Sequence, residues 1–165
     1  MKETFLNNCV HHLHEFTQRI ERCLELLTEE QVWHKPNDAS NAVANLILHL
    51  CGNMTQYVVS GLGGAPDLRE RDKEFSTTSG HTKAQLLTQL QGVVTKVCSI
   101  IELLDEPTLL QVRTVQGFQK TGLAIVLHVT EHMSYHTGQI ALLTKLLTNE
   151  DLGFYKGLDL NRKNG

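Results

Sequence analysis

Residues 121–148, TGLAIVLHVTEHMSYHTGQIALLTKLLT, decide how the rest of the chain is read. Thr121 is placed to open a helix, and no proline interrupts the run that follows. At 100° per residue, Ile125, Val129, Ile140, Leu143 and Leu147 fall within an arc about 60° wide, which defines a buried stripe. His136 falls inside that arc, and His132 lies about 20° beyond its edge. A long amphipathic helix that turns two imidazoles toward its apolar side predicts a helical protein with chemistry in its interior.

The same period recurs upstream. Phe5, Cys9, Leu13, Phe16, Ile20, Leu24 and Leu27 predict a first helix over Lys2 to Thr28. The segment Glu29–Ala39, with Trp33 and Pro36, is expected to be a connector, because proline lacks the N–H and disfavours helical geometry before it. Ser40 is a candidate cap for a second helix, whose stripe is Val43, Leu46, Ile47, Leu50, Met54 and Val58, ending at Gly61-Leu62-Gly63-Gly64. Gly61–Gly80 is expected to be an exposed, charged loop of the length that carries function more often than it only connects. Thr82-Lys83-Ala84-Gln85 has the form of a capping box and introduces a third helix through Leu86, Leu90, Val93, Val97, Ile101 and Leu104. Pro107–Lys120 is mixed and reads as too short to build a sheet. The expected class is all-α, a four-helix bundle with antiparallel or crossover connections.

Size and charge narrow the function classes. The 165 residues, 18.5 kDa, suit a single domain over 1–165, with a flexible tail from about 156 to 165 and earlier tail residues held by Leu152, Phe154 and Tyr155. Fifteen basic against 18 acidic residues, without a basic block, argue against nucleic acid as a partner. No apolar run is long enough to span a membrane, and the opening MKETFLNNCVHHLHEF lacks a signal-type core, so a cytoplasmic protein with no membrane partner is expected. Cys9, Cys23, Cys51 and Cys98 form no C-x-x-C pair and are expected to be reduced, half-buried packing residues.

Nine histidines in this length are unusual. His132 and His136, at i and i+4, stack their rings on one side of the helix, a spacing that metal-binding helices use. A core pair of this kind is either a ligand set or two hydrogen-bonded structural residues. His128, one turn earlier, either reaches the same cleft or faces water. On the second helix, His49 sits at the boundary of the stripe, flanked one turn either side by Asn45 and Asn53. A third imidazole from there would leave positions open on a metal, as in catalytic rather than structural sites. His11, His12, His14, His34 and His81 are expected to be solvated.

Two segments together carry a family resemblance. HVTEHMSYHTGQI at 128–140, with NLILHLCGN at 45–53, resembles the DinB/YfiT-like superfamily of metalloenzyme-like proteins. The charged stretch Arg69-Glu70-Arg71-Asp72-Lys73-Glu74-Phe75 is similar to that of a bacterial branch of mostly unassigned function. The resemblance implies an up-down-down-up bundle, one divalent ion held by His49, His132 and His136, and a homodimer. It also implies a low-molecular-weight thiol such as bacillithiol as a reaction partner. Zinc or nickel are the first candidates for the ion, followed by manganese or iron.

Two classes of function follow. As an enzyme, the chain is a metal-dependent thiol S-transferase or a related hydrolase, with Arg69 or Arg71 available to pair a cofactor carboxylate or else simply solvated. As a non-enzyme, it is a metal-binding or dimerising stress-related protein. That alternative is favoured by the lack of an evident carboxylate or nucleophile beside the histidines. Cys51 faces about 160° away from His49 on a helix, and Glu131 points away from the pair.

Overall fold

A computed structural model describes all residues 1–165. The chain forms α1 (Lys2–Leu26), α2 (Glu29–Trp33), α3 (Val43–Met54), α4 (Arg71–Ser76), α5 (Lys83–Glu102), α6 (Glu106–Leu110), β1 (Val112–Val115), β2 (Phe118–Thr121) and α7 (Gly122–Thr148). A π-helical stretch, Thr55–Ser60, continues α3. The protein is mostly helical with one small sheet. α1 lies against α5 and α7, and α3 lies against the same two helices.

The predicted stripes form the interior. Leu13, Ile20, Ile47, Leu50, Leu86, Leu90, Ile101, Ile125, Val129 and Ile140 are all wholly buried, within one contiguous apolar cluster. Each such side chain contributes about 1.5–3 kcal/mol by leaving water. The four cysteines are free and fully buried, deeper than the half-burial expected for them. No helix is long and apolar enough to cross a membrane.

Local signals account for most element ends. Thr82 and Gln85 form the expected capping box, each side chain bonding the other's backbone N–H. Thr121 Oγ1 accepts from the Ala124 N–H and starts α7. The same T-x-x-Q pattern at Thr28 and Gln31 closes a second box, so the expected connector after α1 contains a helical turn, α2. Ser40 does not cap α3. Its hydroxyl bonds Asn37 Oδ1, and the Ala42 N–H is instead satisfied by Asn45 Oδ1 from inside the helix.

The expectation that Pro107–Lys120 builds no sheet is wrong. β1 and β2 pair antiparallel from Val112 with Thr121 to Val115 with Phe118. Gln116 and Gly117 form the turn, with φ of 52° and 81°. Two successive positive-φ residues give the tight turn that matches strand twist, and a glycine at the second position lowers its cost. Val115 is buried, and Tyr57 of the π-helical stretch donates its hydroxyl to Gln116 Oε1 at 2.9 Å.

After α7 the chain returns to α1. Leu152 is buried, its carbonyl accepts from Arg22 Nε, and the Arg19 guanidinium lies 5.2 Å from both the Phe154 and Tyr155 rings. Residues 156–165 are exposed.

Because Leu90 is wholly enclosed, Leu90→Ala is expected to cost about 2–5 kcal/mol in a urea melt through loss of contacts and a residual cavity. A loss below about 0.5 kcal/mol would contradict its burial.

Candidate metal centre

α3 presents His49 and α7 presents His132 and His136 to one point. His132 Nε2 lies 3.1 Å from both His49 Nε2 and His136 Nε2, and one nitrogen from each ring lies within 4.8 Å of the others. At metal–nitrogen distances of about 2.0–2.1 Å, ligands subtending about 90–110° stand roughly 2.9–3.4 Å apart. The two distances from His132 fall within that range, and the third pair, His49 with His136, lies within 4.8 Å.

The outer nitrogens decide which way the lone pairs point. His49 Nδ1 lies 2.8 Å from Glu74 Oε2, and His136 Nδ1 lies 2.7 Å from Gln139 Oε1. Both partners are acceptors, and although Arg69 Nη2 also stands 3.2 Å from His49 Nδ1, its shorter contact is to Glu74 Oε2 at 2.9 Å, so each Nδ1 carries the proton and each Nε2 presents a lone pair inward. Those lone pairs converge on His132 Nε2, whose single proton could satisfy only one of them well. His132 Nδ1 is buried without a partner. A cation at the convergence point would accept all three Nε2 pairs, so the residues fit a metal ion.

Burial holds the His132 and His136 rings in the ligand form. Desolvation, followed by the neighbouring His136, His49, His128 and Arg69, pushes the pKa of His132 down to about 3. Burial lowers that of His136 as well, outweighing the opposing hydrogen bond to Gln139, and His49 adds a smaller effect in the same direction as burial. Neutral imidazole is the metal ligand, and protons compete poorly for these sites.

His49 is buried, whereas its helical angle alone had placed it at a boundary. The reason is tertiary: α4 packs against α3 and covers it. Phe75 lies 4.8 Å from the His49 ring centroid to centroid, and Asn45 Nδ2 donates to the carbonyls of Glu74 and Thr77 at 2.9 and 2.7 Å. Asn45 is therefore a clamp between α3 and α4 rather than part of an open cleft. The loop Gly61–Gly80 is not wholly exposed, since it contains α4.

Within it, Glu74 is the functional residue that sequence reasoning missed, and it supplies the carboxylate that had seemed to be lacking beside the histidines. Burial would raise its pKa, but hydrogen bonds and charges from Arg69 and His49 outweigh that and hold it below the ordinary value. Arg69 Nε donates to Glu74 Oε1 at 2.7 Å, Nη2 to Oε2 at 2.9 Å, and Nη1 to Gln56 Oε1 at 2.8 Å. The Arg69 side chain is only 4% exposed, so it is not a solvated loop arginine and its donors are already engaged. Arg71 is exposed and lies over Phe75 at 4.9 Å. No local signal in 69–75 singles Glu74 out, since Glu70 and Asp72 stand in the same charged run.

The other candidates divide. His128 reaches the cleft side: its ring stands 4.3 Å from Tyr57 and 5.4 Å from His132, and Asn53 Nδ2 lies 3.3 Å from its Nε2. Asn53 is buried with Oδ1 unpartnered. Cys51 is packing, as expected, with its thiol pushed up to about 12 by burial and then by Glu74. Glu131 is exposed, and so are His11, His12, His14 and His34, while His81 is half-buried. A cavity of about 460 Å³ lies on the other side of the Arg69–Glu74 pair, lined among others by Leu48, Cys51, Val59 and Val93.

The family described as protein of unknown function DUF1572 matches residues 1–162, and the chain belongs to that family. Solved structures with the same fold include a conserved protein from Enterococcus faecalis, at 16% identity and a TM-score of 0.73, covering 87% of this chain and 97% of that one. A DinB-like protein from Bacillus subtilis matches at 18% identity and a TM-score of 0.64, covering 85% and 91% of the two chains. One from Bacillus cereus matches at 14% identity and 0.68, covering 86% and 91%. The chain thus shares its fold with these DinB-like structures. No curated protein sequence matches the chain.

The depressed histidines set a pH dependence for the metal-free fold. His132 ordinarily titrates near 6.5 and in the fold near 3, so between those values the unfolded chain binds the extra proton. Stability is full above about pH 6.5 and falls as pH drops toward 3. Urea melts in chelator from pH 7.5 to 4.5 should show that fall, and His132→Gln should make it shallower.

Proposed function

We propose that this chain is a divalent-metal protein of the DinB-like fold, built as an up-down-down-up four-helix bundle, in which His49, His132 and His136 hold one ion and leave further positions open. The observation that carries this reading is the convergence of three Nε2 atoms, two at 3.1 Å from the third, with two Nδ1 atoms turned outward to acceptors. Zinc or nickel suits a neutral imidazole set, with manganese or iron next.

A metal-dependent thiol S-transferase, using a low-molecular-weight thiol of the bacillithiol kind, is the activity we infer, with metal-assisted hydrolysis as its variant. When bound, a divalent ion supplies a charge that favours a deprotonated nucleophile at neutral pH. The chain's own residues hold and orient: Glu74 and Gln139 fix two ligand rings, and His128 and Asn53 border the ligand set with polar atoms. Cys51 supplies no nucleophile, since its thiol stays protonated.

The pairing surface we infer for a homodimer is the outer face of α7. Leu127, Tyr135, Leu142 and Leu146 are each more than half exposed there, an apolar stripe that supports self-association. Light scattering at micromolar concentration is expected to give about twice the 18.5 kDa chain mass, and a species of chain mass alone would remove the dimer.

Metal content is the direct test. Protein purified without a nickel column should carry about one ion per chain, and chelator should lower its melting temperature. His136→Ala should abolish stoichiometric metal, whereas His34→Ala should not. A wild-type protein that stays metal-free after dialysis against zinc, nickel and manganese in turn, with an unchanged melt, would refute the site. Assay of the loaded protein against thiol and electrophile pairs then separates catalysis from metal binding alone.

A further inference from the structure

We propose that Glu74 is a positioning residue for His49. Its carboxylate fixes the tautomer that leaves His49 Nε2 unprotonated, and Gly52 provides the space in which it does so. The effect on metal affinity rests on the reading above, whereas the tautomer is a property of the metal-free chain.

Three donors meet two oxygens. Oε1 accepts from Arg69 Nε at 2.7 Å, while Oε2 accepts from Arg69 Nη2 at 2.9 Å and faces His49 Nδ1 at 2.8 Å. A carboxylate held ionised by a guanidinium has no proton to give, and a neutral imidazole has only one N–H. Arg69 Nη2 also stands 3.2 Å from Nδ1, but the carboxylate oxygen is nearer to both, at 2.9 and 2.8 Å, so the nitrogen facing the carboxylate is the protonated one. Both Glu74 and His49 side chains are 9% exposed, so water is poorly placed to substitute for the acceptor.

Gly52 has no other evident reason to be glycine. It sits inside α3 with no left-handed backbone angle, where glycine is a poor helix former. A Cβ there would overlap Glu74 Oε1, stand 2.8 Å from Glu74 Cδ and 3.1 Å from Arg69 Nε. The missing side chain is the cradle of the carboxylate. Asn45 fixes the same element from the other end by binding the Glu74 carbonyl.

The arrangement predicts an inversion. In Glu74→Gln, shape is kept but only one acceptor oxygen remains, and the charged Arg69 donors claim it. The amide NH2 then faces His49 Nδ1 and favours the tautomer with the proton on Nε2, aimed at the metal position.

The experiment is imidazole 15N correlation NMR on metal-free protein at pH 7.5, with zinc titration of the same samples. Wild type should show His49 protonated at Nδ1, and Glu74→Gln should show it protonated at Nε2 with zinc affinity about 10–100-fold weaker. Adding Arg69→Met to Glu74→Gln frees the amide oxygen to turn to His49, and should restore the Nδ1–H form and most of the affinity. A merely structural role would not produce that rescue. Gly52→Ala, which removes no hydrogen-bonding group, should also lose the Nδ1–H signature and serves where Glu74→Gln fails to fold. Retention of the Nδ1–H form of His49 in both single variants would overturn the proposal. If wild type binds no zinc, the metal reading fails and the tautomer alone decides this one.

Discussion

Burying a histidine on α3 is the constraint around which this molecule is organised. An imidazole carried into the interior must find partners at both nitrogens or lose hydration without compensation. α3 itself supplies none for Nδ1. The chain reaches out through residues 61–70 and folds back as α4, delivering Glu74 to that nitrogen and Phe75 to the ring face. Arg69 makes the carboxylate tolerable in a buried place, and Gln56 and Asp67 extend the same hydrogen-bonded chain to the surface. An isolated buried carboxylate would protonate instead. The length of the excursion is thus accounted for by what it has to carry back.

The three histidines are unequal in how firmly their positions are defined. His132 and His136 ride one continuous helix, so their separation follows from helical geometry and barely depends on the rest of the fold. His49 comes from a different helix, and its distance to them is set by how α3 packs on α7. An ion bound by all three would link those helices and gain affinity from any packing that already holds them at 3.1 Å.

Legibility in the sequence follows the range of the forces involved. Helix periods, the Thr82–Gln85 box and the pairing of His132 with His136 are local, and α7 and α5 were readable to within a residue or two. The Thr28–Gln31 box and the Gln116-Gly117 turn are equally local and were available signals, but Pro36 and the brevity of residues 107–120 outweighed them. Glu74 and the burial of Arg69 were not readable. They depend on α4 docking against α3 across 25 residues of chain, and a run of alternating charges looks the same whether it is solvated or folded onto a neighbour. His49 illustrates both cases: its helical angle places it at an edge, and only the docked element turns that edge into interior.

Electrostatics then explain why the buried polar cluster is stable without extra charge. Glu74 and Arg69 neutralise one another, and burial opposes protonation of His132 and His136. The cluster presents lone pairs rather than net charge, a state that accepts a cation while excluding protons near neutral pH. On its far edge, His128 stacks between Tyr57 and His132, and Tyr57 is bound in turn by the β-hairpin turn at Gln116. The small sheet that sequence reasoning left out therefore has a place in the architecture. It braces the π-helical end of α3 against the histidine row, as α4 braces the other side. The site is framed by two irregular elements inserted between regular helices.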